Sequence, residues 1–132
     1  MTDSKQKHSI LIIDDDKFLS DMYSIKFSES GFEVNVADSG QACLDLVAKG
    51  IHPDIFLVDI IMQNMDGFQL IEELKKKDLI GTSVVIILSN LGQREDIEKG
   101  LSLGVDGYIV KANATPTEVV NKVLEIVNTK KA

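Results

Sequence analysis

Hydrophobic residues in this chain gather in short runs, and four of the runs stop at residues able to do chemistry. Ile10-Leu11-Ile12-Ile13 ends at Asp14-Asp15-Asp16, Ile55-Phe56-Leu57-Val58 at Asp59, Val84-Val85-Ile86-Ile87-Leu88 at Ser89, and Tyr108-Ile109-Val110 at Lys111. Runs of this length without polar alternation read as strands buried on both faces of a parallel sheet. Between them the apolar spacing turns helical. Strand and helix alternate five times, which predicts an α/β fold with right-handed crossovers. In such a sheet every carboxyl end opens on the same edge, so Asp14, Asp15, Asp59, Ser89 and Lys111 are expected to share one crevice.

The helices differ in how much apolar surface they carry. The first, about Lys17 to Ser30, bears Phe18, Leu19, Met22, Tyr23, Ile25 and Phe27 at near-helical spacing, with Gly31 placed to close it. A second strand follows at Val34–Ala37. Ser39 is placed to cap a second helix whose Cys43, Leu46 and Val47 face inward before Gly50 ends it. The third helix follows the turn-rich Asn64-Met65-Asp66-Gly67 and sets Leu70, Ile71 and Leu74 on one face. The fourth, about Gln93 to Leu103, has a thin stripe of Ile97, Leu101 and Leu103. Its Gly100 costs about 1 kcal/mol relative to alanine, so it is expected to be the loosest. The fifth opens with Thr115-Pro116-Thr117-Glu118, a capping box with proline at the first helical position. Its stripe of Val119, Val120, Val123, Leu124, Ile126 and Val127 is wide, and part of it is expected to meet a partner.

With 132 residues, 44% of them hydrophobic, the chain reads as one domain over 1–132 with a core at about 9–127. A net charge of −7 and the lack of a basic face argue against direct nucleic-acid binding. Lys75-Lys76-Lys77 and Lys130-Lys131 read as solvated helix and tail. One cysteine, Cys43, excludes an internal disulfide and reads as buried filler. His8 and His52 are solitary, so neither belongs to a metal-binding pattern. The polar Met1–Lys7 stretch carries no hydrophobic signal region, and no apolar run is long enough to span a bilayer. A cytoplasmic location without membrane partners is the expectation.

The crevice itself points to a cation. Like charges about 4 Å apart repel by roughly 4 kcal/mol at an effective dielectric of about 20, so clustered acids need compensation. A hard, oxygen-seeking ion such as Mg²⁺ suits them. Asp16 reads as the cap of the first helix. Capping needs one acid rather than three, which leaves Asp14 and Asp15 for a metal. Asp59, set between apolar runs, is expensive to bury without a role.

Taken together, Ile12-Ile13-Asp14-Asp15-Asp16, Pro53 through Asp59, Met65-Asp66-Gly67, Ser89 and Lys111 resemble the receiver domain of two-component response regulators, over about Ser9 to Val127. The resemblance implies a flavodoxin-like, doubly wound sheet in the order 2-1-3-4-5 with five helices. It implies that Asp59 accepts a phosphoryl group from a sensor histidine kinase or histidine phosphotransfer protein. It implies Mg²⁺, for which Mn²⁺ can substitute, held by Asp14, Asp15, Asp59 and the backbone carbonyl of Ile61. Ser89 and Lys111 would then take the phosphoryl oxygens, and Tyr108 would turn inward as part of a switch. The chain is expected to be a stand-alone switch, not an enzyme, that signals to a protein target through helix four, strand five and helix five. A monomer or a phosphorylation-dependent dimer is expected.

Several positions depart from the family pattern. Lys111 is followed by Ala112 where the family usually has a cis proline. Gln63 stands where proline is often found, and Asn90 where a small residue is usual. The family positions that tune phosphoryl lifetime are occupied here by Ile61 and Leu91, both apolar, with Asn90 between Ser89 and Leu91; slow self-dephosphorylation is expected. Two other readings compete. The Asp-x-Asp spacing within Asp14-Asp15-Asp16 is similar to that of haloacid-dehalogenase phosphatases, but Lys17-Phe18 breaks their continuation and Asp59 goes unexplained. A phosphorylation-independent scaffold would not need the acids or Lys111. A dinucleotide-binding domain would need a glycine-rich fingerprint after a strand, which is missing.

Overall fold

The computed structural model describes residues 7–131, so the expectation for the first six residues lies outside the described residues. The elements are β1 (Ser9–Ile13), α1 (Lys17–Glu29), β2 (Glu33–Ala37), α2 (Gly40–Ala48), β3 (Ile55–Val58), α3 (Gly67–Lys76), β4 (Val84–Ser89), α4 (Arg94–Ser102), β5 (Gly107–Val110) and α5 (Pro116–Lys131). All neighbouring strands pair in parallel, in the order β2-β1-β3-β4-β5. This is the doubly wound order that the resemblance implies.

Strand alternation explains the unbroken apolar runs. Ile10, Ile12, Ile55, Leu57, Val84 and Ile86 face one side, where Tyr23 and Phe27 of α1 and Val119, Val123 and Val127 of α5 cover them. Leu11, Ile13, Phe56, Val58, Val85 and Ile87 face the other, under Cys43 and Val47 of α2 and Phe68, Leu70, Ile71 and Leu74 of α3. Both faces are buried, so neither parity of position can be polar. Each such side chain contributes about 1.5–3 kcal/mol by leaving water.

Local signals set the helix ends. Asp16 caps α1 by accepting from the Leu19 N–H, and Ser39 caps α2 by accepting from Ala42. Asp66 and Gln69 form a capping box on α3, and Thr115 and Glu118 do so on α5. Gly31, with φ +92°, follows α1 in the left-handed conformation.

Three expectations need correction. Phe18 and Ile25 do not join the core: they are 79% and 60% exposed. The buried stripe of α1 is Ser20, Tyr23 and Phe27, and a residue two positions off that stripe points about 200° around the helix. On α4, Leu101 is 53% exposed and only Gly100 is fully buried, so the anchor is thinner than the spacing suggests. Lys75, Lys76, Lys77 and Lys130 are exposed but not merely solvated. Lys75 donates to the Leu103 carbonyl at 2.7 Å, and Lys130 reaches Ser83 and Asp106. The Lys75 bond places a cation at the carbonyl end of α4, which complements that helix's dipole. On α5, Leu124 and Ile126 pack at the margin of the core, which uses most of the wide stripe within the chain.

Candidate functional site

The carboxyl edge of the sheet brings the chemical residues together. Asp14 follows β1 and donates its N–H to Ala37 O at 3.1 Å, and Asp59 follows β3 and donates to Ile13 O at 2.9 Å. These bonds continue the sheet register one residue past the strands, which holds both side chains at the edge. Asp14 and Asp59 are buried, and Ser89, the last residue of β4, is fully so. Lys111 opens a single 3₁₀ turn, Lys111–Asn113, between β5 and α5. Its ammonium lies 2.8 Å from Asp14 Oδ2 and 3.2 Å from Asp59 Oδ2, and its side chain is only 7% exposed. The structure contains no cis peptide bond among the described residues, so Lys111–Ala112 is trans and the lysine still reaches both acids.

Two carboxylates share one ammonium, leaving a buried excess of negative charge. Asp14 Oδ1 accepts from the Asp16 N–H at 2.9 Å, and Asp59 Oδ1 from the Ile60 N–H at 2.7 Å. Burial nevertheless pushes the Asp59 pKa up and the Asp14 charge adds to this, while Lys111 and Ser89 pull the other way. Burial also works against the Lys111 ammonium, but its hydrogen bond to Asp14 and the charges of Asp59 and Asp14 outweigh it and raise its pKa. Lysine is therefore charged throughout the physiological range.

Asp15 is placed differently. It is exposed, and its Oδ2 accepts the backbone N–H of Gln63 at 3.1 Å. Asp14, Asp15 and Asp59 offer only carboxylate oxygens, the donor chemistry a hard divalent cation takes. Among the described residues no three His, Cys, Asp or Glu side chains form a ready-made cage. Mg²⁺ binds proteins through one or two carboxylates and keeps several waters. The donor set thus suits the cation that the sequence suggested.

Ser89 and Tyr108 meet at one residue. The Ser89 Oγ accepts from the Leu91 N–H at 3.2 Å, and the Tyr108 hydroxyl donates to the Leu91 carbonyl at 2.5 Å. Tyr108 is half-buried, and burial, with Asp96 and Asp59 adding, raises its phenol pKa. Asn90 is exposed, Leu91 half-buried and Ile61 57% exposed, so all three are in contact with solvent. Cys43 is buried on the α2 side, where burial pushes its thiol up to about 12, as suits filler rather than a nucleophile.

Four contributions escaped the sequence. Gly67 lies against the Asp59 carbonyl, where a Cβ would collide with backbone. Gly100 lets α4 approach, since a Cβ there would lie 2.8 Å from Ile87 Cδ1 and 3.1 Å from the Tyr108 ring. Tyr23 is buried near enough for Lys111, Asp14 and Asp59 to act on its phenol, whose pKa burial raises. The Gln63 contact uses a main-chain N–H, which no side-chain pattern can reveal. The glycine of Met65-Asp66-Gly67 and the isolated Gly100 inside a helix were the available signals.

Comparison with known proteins agrees with this geometry. A family model for the response regulator receiver domain matches residues 10–124. The chain is 34% identical over 111 residues to a probable transcriptional regulator ycf27 of Galdieria sulphuraria, covering 84% of this chain and 42% of that protein. It is 33% identical over 102 residues to the DNA-binding dual master transcriptional regulator RpaA of Synechocystis, covering 77% of this chain and 42% of that one. It therefore spans less than half the length of these curated relatives. Among solved structures, the receiver domain of the Francisella response regulator 1452 superposes with a TM-score of 0.82 at 31% identity, over 93% of this chain and 98% of that one. The Vibrio cholerae chemotaxis protein CheY4, at 21% identity, shares the fold with a TM-score of 0.83, over 92% of this chain and 99% of that one. The acids, hydroxyl and lysine at one sheet edge, and a family match over most of the chain, lead to one conclusion: the chain belongs to the response regulator receiver domains of two-component systems.

Proposed function

We propose that this chain is a phosphoacceptor switch in which Asp59 takes a phosphoryl group from the phosphohistidine of a sensor histidine kinase or histidine phosphotransfer protein. The observation that carries the reading is the convergence of Asp14 and Asp59 on one Lys111 ammonium, at 2.8 and 3.2 Å, with the buried Ser89 at the neighbouring strand end. An Asp59 oxygen forms the new O–P bond as the P–N bond breaks. The bonding pair stays with the imidazole, which leaves neutral when its other nitrogen carries a proton. Asp14, Asp15, Asp59 and the Ile61 carbonyl would hold Mg²⁺ or Mn²⁺, whose positive charge offsets the approach of an anionic phosphoryl group to a carboxylate. Lys111, shared between two acids, is within reach of a phosphoryl oxygen on Asp59.

Output would start at Ser89. Its oxygen accepts from the Leu91 N–H, which leaves the hydroxyl proton for a phosphoryl oxygen, so a shift of Ser89 toward the phosphoryl group would draw Leu91 with it. Leu91 also accepts from Tyr108, so movement of this loop passes to β5 and to α4, whose Gly100 rests on the Tyr108 ring. A protein target would read the α4, β5 and α5 surface, with the chain acting as a monomer or a phosphorylation-dependent dimer. Its net charge of −7 supports signalling without direct nucleic-acid contact by this chain. No helix among the described residues is long and apolar enough to cross a membrane.

The test is to incubate the protein with Mg²⁺ and acetyl phosphate and to weigh it intact. One phosphoryl adduct, lost in Asp59→Asn, supports the switch. No adduct overturns it, and continuous phosphate release that depends on Asp14 would assign a phosphatase instead.

A further inference from the structure

We infer that the backbone N–H of Gln63 positions Asp15 for the divalent cation, so that the loop between β3 and α3 supplies a support as well as a ligand. This rests on the cation reading given above. Lys111 engages Asp14 and Asp59, whereas Asp15 is exposed and depends on a different partner. Among the described residues, its carboxylate has one hydrogen bond, from Gln63 N–H to Oδ2, bridging 48 positions of sequence. That bond leaves Oδ1 for an ion.

The donor is itself well held. Met65 donates its N–H to Gln63 O at 2.9 Å, and Asn64 between them takes a left-handed φ of 70°. The Met65 side chain packs on Gly40 at the start of α2, where an added Cβ would lie 2.6 Å from Sδ. At the far end of the loop, Gly67 donates to Ile60 O at 2.9 Å and Asp66 caps α3. Ile61, whose carbonyl the cation reading includes, lies two residues before Gln63 in the same loop. A partner that fixes a ligating group lowers the ordering cost of binding, and loss of such partners typically weakens metal affinity about 10–100-fold. Proline has no N–H, so the contact exists only because position 63 is not proline.

The experiment is a Mg²⁺ titration followed by backbone amide resonances in the parent, Gln63→Ala, Gln63→Pro and a variant with an ester in place of the residue 63 amide. Gln63→Ala keeps the donor and is expected to match the parent. Gln63→Pro and the ester remove it and are expected to bind Mg²⁺ about tenfold more weakly. If Gln63→Pro fails to fold, the ester decides. Hydrogen exchange at the Gln63 amide gives a second readout: Mg²⁺ should slow it in the parent and leave it unchanged in Asp15→Ala. Equal affinity in the parent and the ester overturns the inference while leaving the cation site standing, as does equal weakening by alanine and proline. A parent that binds no Mg²⁺ overturns the cation reading itself.

Discussion

Helices α3 and α4 each follow a strand that ends in the crevice, and they are held by opposite means. Five residues of α3, Gly67, Phe68, Leu70, Ile71 and Leu74, are buried, and its start is locked by the Asp66/Gln69 capping box. On α4 only Gly100 is buried, and the preceding loop is held by hydrogen bonds from Leu91 to Ser89 and from Tyr108 to Leu91. Apolar burial cannot be exchanged for another partner at little cost, whereas a hydrogen bond can be. The contrast predicts that the loop beside Asp59 acts as a fixed support and the loop beside Ser89 as the movable part of the proposed switch. Segments with few buried contacts are the ones that open at low free energy.

The sharpest way to break this contrast is truncation of one leucine on each helix. Leu74→Ala on α3 is expected to cost about 2–5 kcal/mol in denaturant unfolding. Leu101→Ala on α4 should stay within about 0.5 kcal/mol. Comparable losses would show that both helices are equally anchored.

The two glycines give the next largest difference. Gly67→Ala drives a Cβ into the Asp59 backbone, and about 1–3 kcal/mol of stability should be lost together with phosphoryl acceptance. Gly100→Ala meets the end of the Ile87 side chain and the Tyr108 ring, which can shift, and gains about 1 kcal/mol of helix propensity. Its unfolding midpoint should lie close to that of the parent.

Amide exchange sharpens the contrast without mutation. In the unmodified protein, α4 amides should exchange at least about tenfold faster than those of α3, a difference of about 1.4 kcal/mol in opening free energy. On phosphorylation the largest changes should fall at Leu91, α4 and Tyr108. A uniform change, or one confined to α2, would contradict the assignment of the moving part.

Asp59 lies at the root of the fixed loop, yet its charge opposes the fold. Folding raises its pKa, so its contribution favours the folded state below the ordinary carboxylate value of about 4 and is lost as pH rises through the folded value. Asp59→Asn should therefore melt a few degrees above the parent at pH 7. That gain should close as the pH falls below about 4. A Tm lower than the parent's at pH 7 would mean that the Lys111 bond outweighs the burial cost.

The smallest effect concerns the two apolar positions expected to tune phosphoryl lifetime, Ile61 in the loop after β3 and Leu91 in the loop after β4. Neither side chain can hydrogen-bond a hydrolytic water. Phosphoryl decay after donor removal should be slow in the parent and severalfold faster in Ile61→Asn/Leu91→Glu, about 1 kcal/mol or less in the barrier. Equal decay would remove these two positions from control of lifetime.

The apolar runs, the capping residues and the polar strand ends were sufficient to place five strands, five helices and the edge on which Asp14, Asp59, Ser89 and Lys111 meet. These features are local, and a parallel sheet with right-handed crossovers converts local order into a common edge. The facing of α1 was less legible: Phe18 and Ile25 are as apolar as the core residues, and only packing selects the stripe of Ser20, Tyr23 and Phe27. The true thinness of α4 was equally hidden, because Leu101 is apolar whether or not anything covers it.

What the sequence determined by itself was the inventory and the topology: which acids, which hydroxyl, which lysine, and at which strand ends. Tertiary structure alone decided how they are shared. It gave Lys111 to both Asp14 and Asp59, turned Asp15 to the Gln63 N–H, and joined Ser89 to Tyr108 through Leu91. The carboxylate pairings span 48 to 97 residues of separation, and the contacts of Asp15 and Leu91 run through main-chain atoms. A backbone N–H or carbonyl has the same chemistry at nearly every position, so only its place in space tells which partner it meets.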